Sequence, residues 1–520
     1  MTTPAEDKHW PGPLSAAVAQ LCGDLRPLVS ERTAAGFHGV LRRLSAPLQV
    51  AVAGRIKSGK STLVNALIGR RVAPTDVGEC TRVVTRFQYG TVDHVEVVFH
   101  DGLRRAIPFD ADGGIPANLG VDLDHVSHLE AYLTNAVLRD LTVIDTPGLG
   151  SLDAASAARA EKLLGTDAGD LPGELDPVSR DAVVGAEAVL YVVTQTVRAD
   201  DQHALASFAA ATASREAGPV NVIAVLNKAD TIEPESVEGA GGDVWTAAAM
   251  LAERQARLLK PRVADTLPVI GLLAETAEAG GFTSADADAL RRLAELDADT
   301  RRTLLLSADL FTAWDCEVPA DIRGRLLERM DLYGINSALE VIDAEPGITA
   351  GALRRKLLCA SGLAPVLERL DSLFRARADG IKAVAGLASV TALAHASGDP
   401  GERQRVQDAI EVLLAKPEAH QLRLLEALTL VTSGAVTMPV DLAEEVIRVG
   451  STVDVAEQLG LPGRPRQELT DYALERAGWW RSFASFGATP AQSRVAYVVH
   501  RTYFLIWQQL LCSDNHNVRE

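Results

Sequence analysis

Cysteine is scarce in this chain: five in 520 residues, at positions 22, 80, 316, 359 and 512. Their number is odd, they lie far apart, and they follow no metal-ligand spacing. That excludes a disulfide framework or a zinc-built scaffold and leaves reduced thiols in a cytoplasmic protein as the simplest expectation. Long apolar runs are missing too. None approaches the roughly 18 uninterrupted apolar residues of a membrane span. Ala383 to Ala394 is too short, and Val495 to Leu511 is broken by His500, Arg501, Gln508 and Gln509, so it reads as a buried helix. Met1 to Pro13 is polar and carries Pro4, Pro11 and Pro13, with no apolar core, so no leader is expected there. Positive charge is in the minority, 51 Lys and Arg against 69 Asp and Glu, a net −18. That balance argues against nucleic acid as the main partner and against whole-surface attraction to anionic lipid; only a local basic patch could provide the latter. No repeat of fixed period and no low-complexity segment stands out.

What the chain does contain is Gly54-Arg55-Ile56-Lys57-Ser58-Gly59-Lys60-Ser61-Thr62, a match to G-x-x-x-x-G-K-[ST] at every fixed position. Its flanks suit the motif. Leu48, Val50, Ala51, Val52 and Ala53 read as a buried strand, and Leu63 to Leu67 as the first turns of a helix. Strand, glycine turn and helix N-terminus together make an anion site, because backbone N–H groups converge there and the helix dipole adds partial positive charge. Lys60 is expected along the β/γ-phosphates and the Ser61 hydroxyl at Mg²⁺, with Gly54, Ser58, Gly59 and Thr62 shaping the cradle.

Two further motifs follow. Leu141 to Ile144 reads as a strand ending in Asp145-Thr146-Pro147-Gly148. Asp145 is expected to hold Mg²⁺, largely through water, and the Gly148 N–H to approach the γ-phosphate. Val222 to Leu226 runs into Asn227-Lys228-Ala229-Asp230. An ionised Asp230 is acceptor-only, so it can take both the N1–H and the exocyclic amine of guanine; adenine has no matching pair of donors. Asn227 should tie this loop to the phosphate loop, and Lys228 should lie along the base plane. GTP is therefore preferred over ATP. A threonine in a mobile loop should sense the γ-phosphate and Mg²⁺: Thr81 is the choice and Thr75 the rival. A loop at about 270–274 should back the base. Residues 151–180, rich in Ala, Gly, Asp and Ser, are expected to order only on nucleotide or partner binding.

The pattern divides the chain into a flexible tail at 1–13, helices at 14–46, a nucleotide domain at 47–275 and a helical bundle at 276–520. Strands are expected at 48–53, 85–89, 94–99, 103–107, 141–145, 188–193, 220–226 and 267–272, with an Asp101-Gly102 hairpin. Alternation with helices makes the first half α/β with a mainly parallel sheet. Amphipathic patterns then follow at 286–311, 319–342, 349–395, 402–415, 418–432, 441–459, 466–484 and 490–512, an elongated all-α half.

These residues resemble the dynamin superfamily, most nearly the actinobacterial isoniazid-inducible dynamin-like proteins of the protein C type. The likeness rests on the phosphate loop continued as Leu63-Val64-Asn65-Ala66-Leu67-Ile68-Gly69, on Ala73-Pro74-Thr75, and on Cys80-Thr81-Arg82-Val83-Val84-Thr85 with Tyr89-Gly90. It extends more loosely to 326–335, Ser361-Gly362-Leu363 and Trp479-Trp480-Arg481. The resemblance implies a large GTPase with a nucleotide head, helical neck and trunk, self-association through heads, a sister dynamin-like protein as partner, and membrane remodelling at the inner face of the cell membrane. The chain departs from the family in lacking a transmembrane paddle, a lipid-binding domain and a long basic loop, and in reading Val269-Ile270-Gly271 where a serine is more usual.

No glutamine immediately follows the D-T-P-G motif, so catalysis there would have to come from backbone groups or from a partner; positive charge on the developing leaving group is a separate need. Lys57 sits where dynamins carry a serine that helps bind a monovalent cation, and where guanylate-binding proteins carry an arginine finger. It either supplies charge itself or points to solvent. Arg354-Arg355-Lys356 and Arg375, Arg377 and Lys382 either face lipid or form solvated helix faces; Trp479, Trp480 and Phe483 suit core packing better than insertion. The alternative function is a soluble GTPase switch whose helical half binds a protein or ribosome.

Overall fold

The computed structural model describes residues 12–75, 83–147, 186, 188–195, 205, 222–259, 263, 265–371, 378–416, 419–432, 436–452 and 454–512. A nine-stranded sheet is built from β1 (Leu48–Gly54), β2 (Thr85–Tyr89), β3 (His94–Phe99), β4 (Arg104–Ile107), β5 (Val126–Leu133), β6 (Leu141–Asp145), β7 (Ala188–Val193), β8 (Val222–Asn227) and β9 (Asp265–Val269), in the order β4-β3-β5-β2-β6-β1-β7-β8-β9. β1 lies inside, parallel to both β6 and β7, and the parallel run continues through β8 to β9. Every residue of β7 and β8 is buried, which is why both read as unbroken apolar runs: helices cover both faces. β2, β3 and β4 bring in the antiparallel pairs, and Gly102 turns the β3–β4 hairpin at φ 84°.

Strand β5 is absent from the sequence-based expectation. His128 and Glu130 break its apolar pattern, yet it pairs with both β2 and β3. Glu130 fits there because Arg104 Nη1 donates to it at 2.6 Å and Tyr132 Oη at 2.7 Å. The expected strand at 267–272 is shifted: β9 stops at Val269 and α5 (Gly271–Glu278) begins two residues on. The run at 286–311 is three helices, not one: α6 (Ser284–Ala294), α7 (Ala298–Leu304) and α8 (Ala308–Ala313). Asp297 and Ser307 accept hydrogen bonds at the starts of the last two. The run at 349–395 likewise divides, with Gly362 at φ 75° opening the second piece.

Among the described residues the helices before the sheet are α1 (Pro13–Leu25) and α2 (Glu31–Ser45), followed inside it by α3 (Lys60–Ile68) and α4 (Val244–Leu259). After α8 come α9 (Ala320–Ala344), α10 (Ala350–Ala360), α11 (Leu363–Leu370), α12 (Ala378–Ala396), α13 (Pro400–Ala415), α14 (His420–Thr432), α15 (Val440–Ser451), α16 (Val455–Leu459), α17 (Arg466–Phe486) and α18 (Pro490–Cys512). Apolar burial runs across the expected boundary at 275/276. One sheet face shares its core with helices as far as Leu353 and Leu357 of α10, and the other with Leu363, Val366 and Leu370 of α11. Two purely helical cores remain. Leu14, Val18 and Phe37 of α1 and α2 pack with Ala383 and Val390 of α12 and Val406 of α13. Leu428, Val446, Trp480 and Tyr503 knit α14, α15, α17 and α18. The helix α14 serves both, with Leu422 and Leu425 in the first and Leu424 and Leu428 in the second.

Two residues weighed as lipid contacts, Lys382 and Trp480, are packed, whereas Trp479, Arg355 and Lys356 are exposed. Lys382 is buried and donates to the Arg43 and Ala46 carbonyls at the end of α2. Trp480 is fully buried and donates to Glu445 Oε1 at 2.9 Å, while Trp479 stacks on Phe483 and under the Arg476 guanidinium. Arg375 and Arg377 lie outside the described residues. No helix among the described residues is long and apolar enough to cross a membrane.

Candidate nucleotide site

Strand β1 delivers the chain into the phosphate loop, and α3 leaves it. Gly54 has φ 149° and Gly59 φ 87°, conformations that L side chains rarely adopt. Each position is also closed to a Cβ: one at Gly54 would meet the Val192 carbonyl oxygen, and one at Gly59 the Asn227 amide. Lys57, between them, is held at φ 61° with its side chain exposed at the loop's lip. Thr62 lies in the first turn of α3.

Lys60 is buried at the start of α3, with Nζ donating to the Arg55 carbonyl at 3.0 Å. Burial pushes its pKa down, and the nearby Asp145 opposes that. Asp145, at the end of β6, accepts from Ser61 Oγ at 2.7 Å through Oδ2. Its Oδ1 is buried without a partner. Burial raises this carboxyl to about 6, against the opposing effects of Ser61 and Lys60. An unpartnered buried carboxylate oxygen beside a serine hydroxyl is the donor set a hard divalent cation takes, so Ser61 and Asp145 fit Mg²⁺. Thr146 fixes the following turn: its Oγ1 donates to the Val52 carbonyl of β1 at 2.9 Å. Gly148 and Thr81 lie outside the described residues, as does the 151–180 segment.

On the base side, Asn227 is a joint. Its Nδ2 donates to the Ser58 carbonyl at 2.8 Å, and its Oδ1 accepts from the backbone N–H of Lys228 at 2.8 Å and of Gly271 at 2.9 Å. One side chain thus ties the phosphate loop, the N-K-A-D loop and the start of α5. Lys228 is exposed and held at φ 60°. Asp230 Oδ1 is buried and unpartnered, and burial raises its pKa, with Asp331 of α9 adding to the rise. The segment behind the base is held from outside as well: the Ile270 N–H donates to the Ser361 carbonyl at 2.8 Å.

A family model described as the dynamin family matches residues 50–229. The Isoniazid-induced protein IniC of Mycobacterium tuberculosis, strains CDC 1551 / Oshkosh and ATCC 25618 / H37Rv, is 33% identical over 452 residues, 85% of this chain and 86% of that protein. The chain belongs to the dynamin family. The matched span holds the phosphate loop, the D-T-P turn and Asn227-Lys228-Ala229, and it ends one residue short of Asp230. A Bacterial dynamin-like protein of Nostoc punctiforme is 46% identical over 54 residues, 10% of this chain and 8% of that one. Among solved structures, a chain from work titled "An oligomerised bacterial dynamin pair provides a mechanism for the long-range sensing and tethering of membranes" aligns with 97% of this chain and 77% of its own. The TM-score is 0.29 and the identity 12%.

Sequence reasoning missed three parts of this site. Thr146 lies inside a motif already noted, but its bond to β1 has no sequence signature. Asn65, quoted only as a point of likeness, holds Val72 and Ala73 and meets Glu275. Asp331, on a helix about a hundred residues downstream in sequence, acts on Asp230 through its charge alone.

Proposed function

We propose that this protein binds GTP with Mg²⁺ and hydrolyses it to GDP and phosphate. We further propose that turnover is coupled to self-association of nucleotide heads, with a sister dynamin-like protein as a second partner, and to work on a membrane. The carrying observation is Asp230: a buried carboxylate oxygen with no partner, on a loop whose Asn227 is locked to the phosphate loop. Guanine brings two donors to that oxygen pair, and adenine brings none in register.

Around the triphosphate, Lys60 is placed to leave the Arg55 carbonyl for the β/γ-phosphates, a charge-assisted exchange of partners. Ser61 and Asp145 would hold Mg²⁺, which when bound supplies positive charge between the phosphate oxygens. Thr81 and the Gly148 N–H complete the γ-phosphate contacts in this reading, and Lys57 supplies cationic charge from the loop. In this structure Lys57 is exposed at the lip, the solvent-facing alternative, so in this reading its side chain turns inward when nucleotide binds. Arginine fingers accelerate transfer by roughly 10³–10⁵, and a lysine should give less.

Phosphate release from GTP and ATP, with and without Mg²⁺, is the direct test, with Lys60→Ala as the inactive control. Equal use of ATP would end the guanine reading. Turnover in Na⁺, K⁺ and choline buffers tests Lys57: a strong K⁺ requirement removes it as the cation. The second reading is a soluble switch acting on a protein partner, favoured by the net charge of −18. Rate per molecule measured against protein concentration, with vesicle pelleting in GTP, separates the two. A flat rate without pelleting supports the switch.

A further inference from the structure

A cavity of about 920 Å³ opens between α13, α14 and α18, where the two helical cores meet. That size is within the range of sites that enclose a small organic ligand. Its floor is apolar and incompletely covered: Leu414, Val498 and Phe504 are half-buried around the buried Val495. Its rim is cationic. Arg423 of α14 and Arg494 and Arg501 of α18 line it, all exposed, and none makes a hydrogen bond or ion pair among the described residues. Glu411 and Glu426 share the rim without coming within ion-pair distance of any of the three. His420, at the inner wall, is buried and engaged with Thr502 at 2.9 Å.

Unpaired guanidinium groups around an apolar hollow are complementary to one kind of molecule. An inorganic anion would use the rim and leave the floor wet. A neutral hydrocarbon would use the floor and leave three charges unanswered. We propose that this cavity binds a single acidic amphiphile, with a phosphate or carboxylate head among Arg423, Arg494 and Arg501 and an acyl chain along Leu414, Val498 and Phe504. Arginine suits such a head because its planar donors match phosphate and carboxylate oxygens. The chain's own residues 513–520 are a poor occupant: Ser-Asp-Asn-His-Asn-Val-Arg-Glu offers one aliphatic side chain, Val518. Because α14 belongs to both helical cores, a ligand there touches the junction between them.

The experiment is calorimetric titration of the full chain with dodecyl phosphate below its micellar concentration, beside inorganic phosphate and dodecyl maltoside. The expected result is saturable binding of one dodecyl phosphate per chain, with neither control approaching it. The variant R423Q/R494Q/R501Q should weaken binding by at least about tenfold, since three charge-assisted contacts are removed. Those side chains are exposed, so the variant should keep its thermal midpoint and GTP affinity. Leu414→Glu should weaken binding through the floor instead. No saturable binding, many amphiphiles per chain, equal affinity for either control, or an unchanged triple variant would each overturn the proposal. So would wild-type chains that self-associate through this face where the triple variant stays monomeric. Binding here is read without nucleotide, so its failure leaves the GTP reading standing.

Discussion

Asn65 Nδ2 donates to Glu275 Oε1 at 2.7 Å, joining the helix that opens at the phosphate loop to the helix that follows the last strand. The same amide donates to the Ala73 carbonyl and accepts from the Val72 and Ala73 N–H groups. Its hydrogen-bonding capacity is used, and the chain segment leading toward Thr75 hangs on it. Glu275 is buried; burial raises its pKa, and Arg71 is the cation that opposes the rise.

Asn65→Ala should therefore leave buried backbone groups and a carboxyl short of partners. The expected loss is about 3 kcal/mol, since each orphaned buried group costs about 1–3 kcal/mol and water recovers part. The urea midpoint should fall with an unchanged slope. GTP affinity should fall as well, because the segment toward the γ-phosphate loses its anchor. A variant as stable as wild type would show that the network contributes shape and no energy.

Asp331 interrupts α9 at φ 53°, ψ 178°, a conformation nearly confined to glycine. The kink is pinned on both sides. Thr276 donates to the Arg329 carbonyl, and a Cβ at Gly334 would run into Met330 and Leu273. Strain of this kind costs about 1–3 kcal/mol, and Asp331 recovers some by accepting from the Leu332 N–H at 2.7 Å. Asp331→Gly should raise stability by about 1 kcal/mol, relief of strain offset by the extra freedom of glycine when unfolded. Asp331→Ala should lower it, because the strain stays and the hydrogen bond goes. Denaturant titrations of the pair decide the matter: if glycine is no better than alanine, the backbone is not strained there.

What the sequence made legible follows from how local each signal is. Gly54, Gly59, Lys60, Ser61, Asp145, Asn227 and Asp230 stand in short motifs on strand ends, where a few consecutive residues determine the backbone. β7 and β8 were legible because complete burial writes an apolar run. β5 was not, because Glu130 owes its place to Arg104 and Tyr132, the first of them on another strand. The kink at Asp331 was invisible for the same reason: no residue type announces it, and contacts beside it come from Leu273 and Thr276 of α5. The three helices at 284–313 were merged because their caps, Asp297 and Ser307, sit inside a continuous apolar period.

Asp230→Asn should exchange base preference. Asparagine presents one acceptor and one donor where the carboxylate presents two acceptors. Guanine's exocyclic amine then faces an N–H, whereas xanthine offers a carbonyl there. GTP affinity should drop by at least about tenfold, and xanthosine triphosphate should bind better than GTP. Competition titrations with both nucleotides read this directly. A variant that still favours GTP would mean that the base is recognised elsewhere.

His420 should make the helical half acid-sensitive. Burial lowers its pKa from 6.5 to about 4, and the Arg501 and Arg423 charges add to the effect. Facing it are Arg423 on its own helix and Arg501, His500 and Thr502 on α18, with Glu411 across the cavity on α13 and Glu426 on the rim. The neutral ring is the form the fold accepts. Above pH 6.5 neither state binds the proton, and the full stability is present. As pH falls below 6.5 the unfolded chain takes up a proton that the folded chain refuses, so stability declines until the folded pKa near 4 is passed. The decline from this one group amounts to about 3 kcal/mol. His420→Gln keeps a polar partner for Thr502 and cannot titrate, so its stability should fall less steeply across that window. Carboxylates elsewhere titrate in both proteins below pH 5, which makes the difference between the two urea-midpoint curves the informative quantity. Parallel curves between pH 4 and 6.5 would show that His420 is protonated in the fold at no cost.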